Sequence, residues 1–264
     1  GPDLTTEGVF GPEDRLQAII VAKEQTIIAG LPVIPLVMDL CAAHPEELSY
    51  TWQSLAKEGE EVAKGSIVAR ISGPARQVLR AERVILNFVS HLCGIANLTR
   101  RYAEKLEGTG VRLLDTRKTM PGLRYPDKYA VLCGGGHNHR RNLAEMLMLK
   151  DNHIDACGGI TKAVGILRQT LGHTVKIEVE TRNLDEVKET VEAGADIIML
   201  DNMDNATMKA AVELIGGKAL SEASGGITHD TIADVAKTGV DIISVGALTH
   251  SVKAFDISMK IKKL

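Results

Sequence analysis

The alternation of apolar and polar positions predicts that the first part of the chain is built mainly from β-strands. Mainly apolar stretches on either side of a short turn predict strands at 16–22 and 26–29, and alternating stretches predict strands at 50–55 and 67–71. The first two are separated by a short turn and are expected to form a hairpin. The apolar run from Pro32 to Ala42 predicts a helix packed on this sheet, because proline suits the first turn of a helix.

From Pro74 onward the spacing changes to that of an amphipathic helix. Apolar residues recur every three or four positions and form one continuous face. Gly94 is expected to interrupt this helix, and a second helix is expected to run to about Leu106. Gly108 and Gly110 then mark a linker.

Beyond Gly110, short apolar strands alternate with amphipathic helices, a repeat that is typical of a parallel α/β sheet or barrel. The strands expected from this pattern are 112–114, 146–149, 175–179, 197–200, 219–222 and 242–245. A complete barrel needs more strands than these, and the segment 129–133 is one place for another. The pattern therefore predicts an N-terminal domain at 1–108 and a barrel domain at 109–251, with 252–264 returning to the first domain.

The composition argues against several classes of function. A formal net charge of −3 over 264 residues and an aromatic content of 3% disfavour a general nucleic-acid-binding protein. No apolar run approaches the roughly 18 residues that a membrane-spanning helix needs, and no signal-peptide pattern opens the sequence. The four cysteines are widely spaced and form no metal-ligand pair, which favours reduced thiols in a cytoplasmic protein.

Polar or glycine residues follow every predicted strand of the second domain. In chain order these strand ends are Asp115 to Lys118, Lys150 with Asp151, Glu180, Asp201 with Asn202, Ser224 to Gly226, and Gly246 with Ala247. Taken singly, each is better explained by a helix cap or a solvated loop. Because the carboxyl ends of barrel strands converge on one face, where catalytic groups gather, the whole series predicts a single functional site.

The basic residues of this region indicate an anionic substrate. Arg117 and Arg140 offer planar guanidinium groups that match carboxylates or phosphates. Lys118 and Lys150 add compact charges, and His139 can donate to an anion or titrate near neutral pH. Together they predict a small and highly charged ligand.

The remaining strand ends suit a phosphorylated sugar. Small residues after the last two strands favour capture of a phosphate by backbone N–H groups. These residues are Ser224, Gly225, Gly226, Gly246 and Ala247. Glu180 and Asp201 can accept hydrogen bonds from sugar hydroxyls or hold a hydrated Mg²⁺, for which two carboxylates suffice.

Taken together, these motifs resemble the quinolinate phosphoribosyltransferase family, also called the carboxylating nicotinate-nucleotide pyrophosphorylases. The matching segments span nearly the whole chain: Asp3 to Thr6, Ala81 to Arg83 with Leu86 and Asn87, Asp115 to Thr119 with Pro121 and Gly122, Gly134 to Gly136 with His139 and Arg140, Lys150 to His153, Glu178 to Glu180, Leu200 to Asn202, and Ala223 to Ile227. The family usually carries a helical segment before the first of these motifs, where only Gly1 and Pro2 stand here. That departure leaves the edge of the expected dimer open.

The resemblance implies an α/β fold in which an N-terminal α/β sandwich domain is followed by an incomplete α/β barrel of about seven strands. It implies a homodimer or higher homo-oligomer with shared active sites. The implied enzyme is a pentosyltransferase that transfers phosphoribosyl from phosphoribosyl pyrophosphate to quinolinate with decarboxylation. The products are nicotinate mononucleotide, pyrophosphate and CO₂, within NAD biosynthesis.

The resemblance also implies roles for the residues that bind quinolinate. Arg117, His139, Arg140 and Lys150 would hold its two carboxylates. Arg83 would reach the same pocket from the partner subunit.

The groups implied for phosphoribosyl pyrophosphate follow from the same motifs. Lys118 would face the pyrophosphate, while Glu180 and Asp201 would hold the ribose hydroxyls and Mg²⁺, the metal directly or through water. The residues implied for the 5′-phosphate are Ser224, Gly225, Gly226, Gly246 and Ala247. The expected catalytic residues are Lys118, Lys150, Glu180 and Asp201.

Three other interpretations stay open at this point. One is a paralogue associated with molybdenum transport, of similar fold and different substrate. Another is a Schiff-base aldolase using Lys150, which needs a lysine desolvated in an apolar pocket. The third is a non-catalytic barrel that binds quinolinate without releasing CO₂. The complete set of arginines and lysines favours the quinolinate enzyme, and the adjacent Asp151 disfavours the aldolase.

Overall fold

The computed structural model describes residues 3–264, apart from the side chain of Glu46, so Gly1 and Pro2 lie outside the described residues. The chain divides into two compact units. The first contains the chain up to Arg100 together with 129–135 and 251–264, and the second contains 101–128 and 136–250. The division therefore falls inside a helix, earlier than the glycines at 108 and 110 that we expected to mark it.

The first unit is an antiparallel sheet with helices. Its elements are α1 (Leu4–Val9), β1 (Arg15–Ala22), β2 (Thr26–Ile27), α2 (Val33–Leu40), a 3₁₀ turn (Pro45–Leu48), β3 (Thr51–Ser54), β4 (Glu61–Val62), β5 (Ile67–Pro74), most of α3 (Ala75–Glu104) and β12 (Ile257–Lys263). The main sheet has the order β12-β1-β5-β3, and β2 pairs only with β4. The expected hairpin between the first two strands is therefore wrong, because β1 pairs with β5 and β12 instead.

The long helix α3 runs without a break through Gly94, contrary to the expected interruption. A side chain at Gly94 would place its Cβ 2.4 Å from the carbonyl oxygen of Lys253. The glycine therefore permits close approach of the C-terminal segment and does not end the helix. That segment continues into β12, which pairs antiparallel with β1 from Leu16 to Ala22.

The second unit is a parallel sheet surrounded by helices. Its elements are β6 (Arg112–Leu114), α4 (Arg124–Cys133, whose last turns belong to the first unit), β7 (Leu147–Leu149), α5 (Asp151–Cys157), α6 (Ile160–Leu171), β8 (Ile177–Thr181), α7 (Leu184–Ala193), β9 (Ile197–Asp201), α8 (Asn205–Ile215), β10 (Leu220–Ser224), α9 (Ile232–Ala236), β11 (Ile242–Ser244) and α10 (Ala247–His250). The strand order is β6-β11-β10-β9-β8-β7, and every pairing is parallel.

The α/β class and the incomplete barrel are confirmed, but the strand number is corrected. Among the described residues the parallel sheet has six strands, and not about seven. The segment 129–133, where another strand was expected, is the end of helix α4. A single parallel bridge between Leu114 and His137 extends the edge beside β6.

Local sequence signals explain why the helices of this unit begin and end where they do. The Asn183 side chain accepts the backbone N–H of Glu186 and caps α7, which ends at Gly194 with φ of 75°. Asp204 caps α8 in the same way, and Gly216 ends it. Because each helix is short and returns the chain to the same side, the carboxyl ends of the strands all open on one edge of the sheet.

None of the helices in the described part of the chain is both long and apolar enough to cross a membrane.

Candidate active site

A pocket of about 280 Å³ opens at the carboxyl ends of the parallel strands of the second unit. Every strand of that sheet contributes a residue at or just after its carboxyl end. Its lining residues are Thr116, Arg117, Lys118, His139, Arg140, Met148, Lys150, Glu180, Met199, Asp201, Ser224 and Ser244. The strand ends that the sequence pattern singled out therefore meet at one cavity.

The cationic wall of the pocket is held in place by few protein contacts. The Arg140 guanidinium donates to the Met146 carbonyl at 3.3 Å and contacts the Met148 sulfur at 3.0 Å. Burial lowers the pKa of Arg140, and the positive charge of Arg117 lowers it further. Among the described residues, neither arginine Nε atom has a hydrogen-bond partner, although both are buried. Two neighbouring guanidinium groups with free donors form a site that favours a bound anion.

The acidic wall lies on the neighbouring strands β8 and β9. Glu180 ends in a carboxylate that accepts from Lys150 Nζ at 2.5 Å, and its side chain is only 13% exposed. Asp201 accepts from the side-chain amide of Asn202 at 2.8 Å. Both carboxylates line the cavity and can still accept from sugar hydroxyls or from a hydrated cation. This hard oxygen donor set fits Mg²⁺, which needs few protein ligands because it keeps much of its water.

Two glycines allow the backbone to approach the pocket closely. Gly225 has φ of 95°, and a Cβ there would lie 2.3 Å from the Asn202 side-chain oxygen. Asn202 itself has φ of 53°, so the turns that follow β9 and β10 both contain a residue in the left-handed region. A Cβ at Gly246 would meet the Lys118 side chain at 3.0 Å. Both contacts shape the space next to Ser224 and Lys118.

A buried ion pair fixes the two loops that carry the arginines. Lys128 Nζ donates to Asp115 Oδ1 at 2.5 Å and to the His139 carbonyl at 2.9 Å. The same aspartate oxygen accepts the His139 backbone N–H at 2.8 Å, and the Asn138 amide, with its nitrogen toward Asp115, donates to Oδ2 at 2.8 Å. Burial raises the pKa of Asp115 and lowers that of Lys128 despite their mutual attraction. Each charge therefore depends on the other.

A second polar cluster lies one layer below the pocket. His139 Nε2 is 3.1 Å from a Glu178 oxygen and 3.7 Å from a Glu222 oxygen. Both glutamates are fully buried. Burial raises the pKa of Glu222 to about 7, and the charge of Glu178 adds to this rise.

The structure brings together most of the residues singled out from the sequence. Arg117, Lys118, His139, Arg140, Lys150, Glu180, Asp201 and Ser224 line the cavity. Gly225, Gly226, Gly246 and Ala247 follow the strands that supply Ser224 and Ser244. Arg83 belongs to the first unit, where it is exposed on α3.

Sequence reasoning missed several functional neighbours. It overlooked Lys128, a lysine three residues before the buried Val131 in an otherwise apolar helix turn. It assigned no role to Glu178 and Glu222, although each lies two positions before a recognised strand end and so faces the same side. The period of two along a strand was the signal that would have identified both glutamates.

Comparison with known proteins gives consistent matches over nearly the whole chain. The family description for the quinolinate phosphoribosyl transferase N-terminal domain matches residues 3–93, and that for the C-terminal domain matches residues 95–260. A Bacillus subtilis protein named probable nicotinate-nucleotide pyrophosphorylase (carboxylating) is 43% identical over 259 residues, which is 98% of this chain and 88% of that protein. The chloroplastic nicotinate-nucleotide pyrophosphorylase (carboxylating) of Arabidopsis thaliana is 42% identical, covering 98% of this chain and 78% of its own length. The crystal structure of NadC from Streptococcus pyogenes has a TM-score of 0.93 at 40% identity, covering 100% of this chain and 92% of that one.

Proposed function

The chain belongs to the quinolinate phosphoribosyltransferase family, and we propose that the pocket of its second unit carries out the family's reaction. It is a decarboxylating pentosyltransferase of NAD biosynthesis, which joins quinolinate to phosphoribosyl pyrophosphate and releases pyrophosphate and CO₂. The observation that supports this site is the meeting of two arginines and two lysines with two carboxylates at a single cavity. Two polyanions repel each other in a low-dielectric pocket unless cations surround both.

We assign the quinolinate carboxylates to the arginine side of the pocket. Arg117 and Arg140 have free, buried Nε donors, and the lowering of the Arg140 pKa by the Arg117 charge is relieved when a dianion binds between them. Lys150 lies at the same rim with its ammonium group on Glu180. The wall between them includes His139.

We assign the ribose to Glu180 and Asp201, on adjacent strands. The pyridine nitrogen donates its lone pair to the anomeric carbon while the bond to the pyrophosphate oxygen breaks. Positive charge develops on the sugar in this step, and fixed carboxylates beside the ribose stabilise it. Lys118, at the end of β6, offers its charge to the departing pyrophosphate.

The second step uses the product of the first. The new ring nitrogen is positively charged, so the electron pair of the adjacent carbon–carboxylate bond can move into the ring as CO₂ leaves. A proton then replaces the carboxylate on that carbon. No group beyond the pyridinium ring is needed as an electron sink.

The remaining assignments concern the metal and the phosphate. Mg²⁺, held by Glu180 and Asp201 directly or through water, would supply charge neutralisation of the pyrophosphate. Ser224 and the glycines at 225, 226 and 246, with Ala247, suit the 5′-phosphate, because Gly225 and Gly246 leave room for close backbone approach.

The aldolase alternative is not favoured. Lys150 Nζ is 2.5 Å from the Glu180 carboxylate and its side chain is 47% exposed. A Schiff-base lysine needs a desolvated, apolar pocket, whereas this ammonium is ion-paired and partly exposed. The family assignment likewise disfavours a substrate of the molybdenum-transport paralogue.

An assay of the purified protein tests the reaction directly. With quinolinate, phosphoribosyl pyrophosphate and Mg²⁺ we expect equimolar CO₂ and nicotinate mononucleotide. Omitting phosphoribosyl pyrophosphate should abolish CO₂ release. Binding of quinolinate without any CO₂ would identify a non-catalytic binding protein and refute the proposal.

We further propose a homo-oligomer of at least two subunits that share active sites, in the cytoplasm. Support for the location is that all four cysteines are unpaired thiols. Support for sharing is that Arg83 is an exposed cation on α3. Arg83→Ala mixed with Lys150→Ala should recover part of the activity that each variant lacks, because one site of the mixed dimer then carries both native residues. Verified mixed dimers without recovered activity would contradict a shared site.

A further inference from the structure

The polar cluster beneath the pocket includes two glutamates that have no part in the reaction steps described above. It brings His139, Glu178 and Glu222 together so that their ring nitrogen and carboxylate oxygens lie within 4.8 Å of one another. Strand alternation explains the position of the glutamates. Glu178 precedes Glu180 by two residues on β8, and Glu222 precedes Ser224 by two on β10. Each therefore points into the barrel one layer below a residue of the pocket.

Both nitrogens of the His139 ring are engaged within the protein. Nδ1 accepts the backbone N–H of Arg140 at 2.7 Å, and Nε2 lies 3.1 Å from Glu178 and 3.7 Å from Glu222. Only an unprotonated nitrogen can accept an N–H, so the ring hydrogen lies on Nε2 and points toward the carboxylates. This orientation leaves no ring hydrogen for a substrate carboxylate.

The protonation of the ring follows from the same contacts. Burial lowers the pKa of His139, but the Glu178 and Glu222 carboxylates raise it, with a net upward shift. A second proton would have to occupy Nδ1, directly opposite the Arg140 N–H at 2.7 Å. The neutral tautomer with hydrogen on Nε2 is the form that satisfies every contact. A metal ion on Nε2 would force the hydrogen onto Nδ1 and meet the same obstacle.

Two carboxylates that lie side by side in a buried site repel each other when both carry a charge. By distance and angle none of the four oxygens of Glu178 and Glu222 has a hydrogen-bond partner among the described residues, although the Ser244 hydroxyl lies close enough to Glu222 to lower its pKa in part. Burial and the charge of Glu178 raise the pKa of Glu222 to about 7, so Glu222 takes up a proton at a higher pH than an ordinary glutamate. Glu178 is the nearer carboxylate to the hydrogen on Nε2, at 3.1 Å against 3.7 Å for Glu222.

We propose that Glu178 and Glu222 make His139 a positioning residue for Arg140. They fix the ring hydrogen on Nε2, which frees Nδ1 to hold the Arg140 backbone and so to aim the guanidinium into the pocket. His139 then serves the anion through Arg140, and not by a ring hydrogen bond of its own. The identity of that anion as quinolinate rests on the proposed function, whereas the tautomer does not.

The first test measures the tautomer and needs no turnover. Protein labelled with ¹⁵N-histidine is examined by NMR, and the His139 signals are assigned by their absence from His139→Gln. We expect the neutral form with hydrogen on Nε2, unchanged when quinolinate is added to saturation. An imidazolium, a hydrogen on Nδ1, or a change of tautomer on quinolinate binding would overturn the proposal.

The second test compares two substitutions of the acceptor. Glu178→Leu removes it, whereas Glu178→Gln keeps an oxygen at the same place. We expect Glu178→Leu to raise the KM for quinolinate about tenfold through misplacement of Arg140, with a much smaller change for phosphoribosyl pyrophosphate. Glu178→Gln should recover most of the loss.

A control on strand β10 separates positioning from general loss of stability. Ser221 is buried like the glutamates but bonds Asp241, at the opposite end of the strand from the pocket. Ser221→Ala should leave the KM for quinolinate unchanged. Equal effects of Glu178→Leu and Ser221→Ala on that KM, or no recovery in Glu178→Gln, would refute the positioning role. If Glu178→Leu does not fold, the quinolinate KM of Glu178→Gln and the His139 tautomer in the wild-type NMR spectrum still test the proposal. A wild-type protein without CO₂ release would refute the proposed function while leaving the tautomer result intact.

Discussion

Replacing Lys128 by methionine should destabilise the second unit strongly, because it leaves a buried charge without its partner. The Lys128 side chain is 1% exposed and that of Asp115 is 0% exposed, with 2.5 Å between Nζ and Oδ1. Methionine keeps nearly the same length and volume, so the change removes charge and hydrogen bonds without opening a large cavity. The Asp115 carboxylate would retain the His139 N–H at 2.8 Å but lose its only ammonium partner among the described residues.

The magnitude follows from the asymmetry of buried ion pairs. Removing one member of such a pair costs about 3–5 kcal/mol, since the remaining ion is left without compensation. That is a large fraction of the roughly 5–15 kcal/mol by which a typical domain is stable. The double variant Lys128→Met with Asp115→Asn should cost less than Lys128→Met alone, because it removes the stranded charge and keeps an acceptor for the His139 N–H.

The destabilisation caused by Lys128→Met should depend on pH through the Asp115 carboxyl group. Burial already raises the pKa of Asp115, and loss of the Lys128 charge removes an influence that lowers it. A carboxyl group with a raised pKa in the folded state contributes stability below its unfolded pKa and loses that contribution as the pH rises. The destabilisation of Lys128→Met should therefore shrink as the pH falls toward the ordinary aspartate value.

Urea denaturation followed by circular dichroism measures these differences. The matched control is Lys237→Met, which removes a lysine that is 2.7 Å from Asp234 but lies on the surface. Exposed pairs contribute little, so this control should not change the denaturation midpoint measurably. If Lys128→Met were no more destabilising than Lys237→Met, the buried pair would not hold the loops together. If the double variant were as unstable as the single one, lost packing and not a stranded charge would be the cause.

Three further changes test other parts of the site. Arg117→Ala should lower kcat/KM by about a hundredfold or more, about 3 kcal/mol of transition-state stabilisation, and near-normal turnover would contradict its assignment. Gly225→Ala places a Cβ 2.3 Å from the Asn202 oxygen at φ of 95°, so we expect a loss of about 1–3 kcal/mol in stability and weaker phosphoribosyl pyrophosphate binding. Gly194→Ala, with φ of 75° and nothing within 4 Å, is its control, and equal effects on substrate binding would refute the collision. Glu222→Gln should gain stability relative to the wild type as the pH rises from about 4.5 to about 7, because a raised carboxyl pKa makes the wild type lose stability over that window; parallel pH curves in denaturation would contradict the shift.

The strand ends show what local sequence determines. Short, mainly apolar segments followed by polar groups identified the parallel strands, because a strand buried on both faces carries few polar residues before the edge of the sheet; the buried Glu178 and Glu222 are exceptions. Once those ends were known, the parallel α/β pattern required Arg117, Lys150, Glu180 and Asp201 to open on the same side. The site could therefore be assembled from the sequence before any coordinates.

The errors lie where the outcome depends on distant contacts. The residues at 129–133 are apolar enough for a strand, yet they continue helix α4. Gly94 has the usual character of a helix breaker, but the approach of Lys253 is the reason it is there. The expected hairpin failed because β1 has better partners far away in the sequence, at β5 and β12.

What the sequence determined by itself was the chemistry at the strand ends, since residue type and a period of two place those groups without reference to the rest of the chain. What only the tertiary structure decided was which of them are neighbours. The Lys128–Asp115 pair joins residues 13 positions apart, and the Arg140 N–H selects the tautomer of His139 whose ring hydrogen faces Glu178. Such pairings follow from how loops and strands pack around a common interior, and burial is what makes them matter, because a charge removed from water must find its partner there.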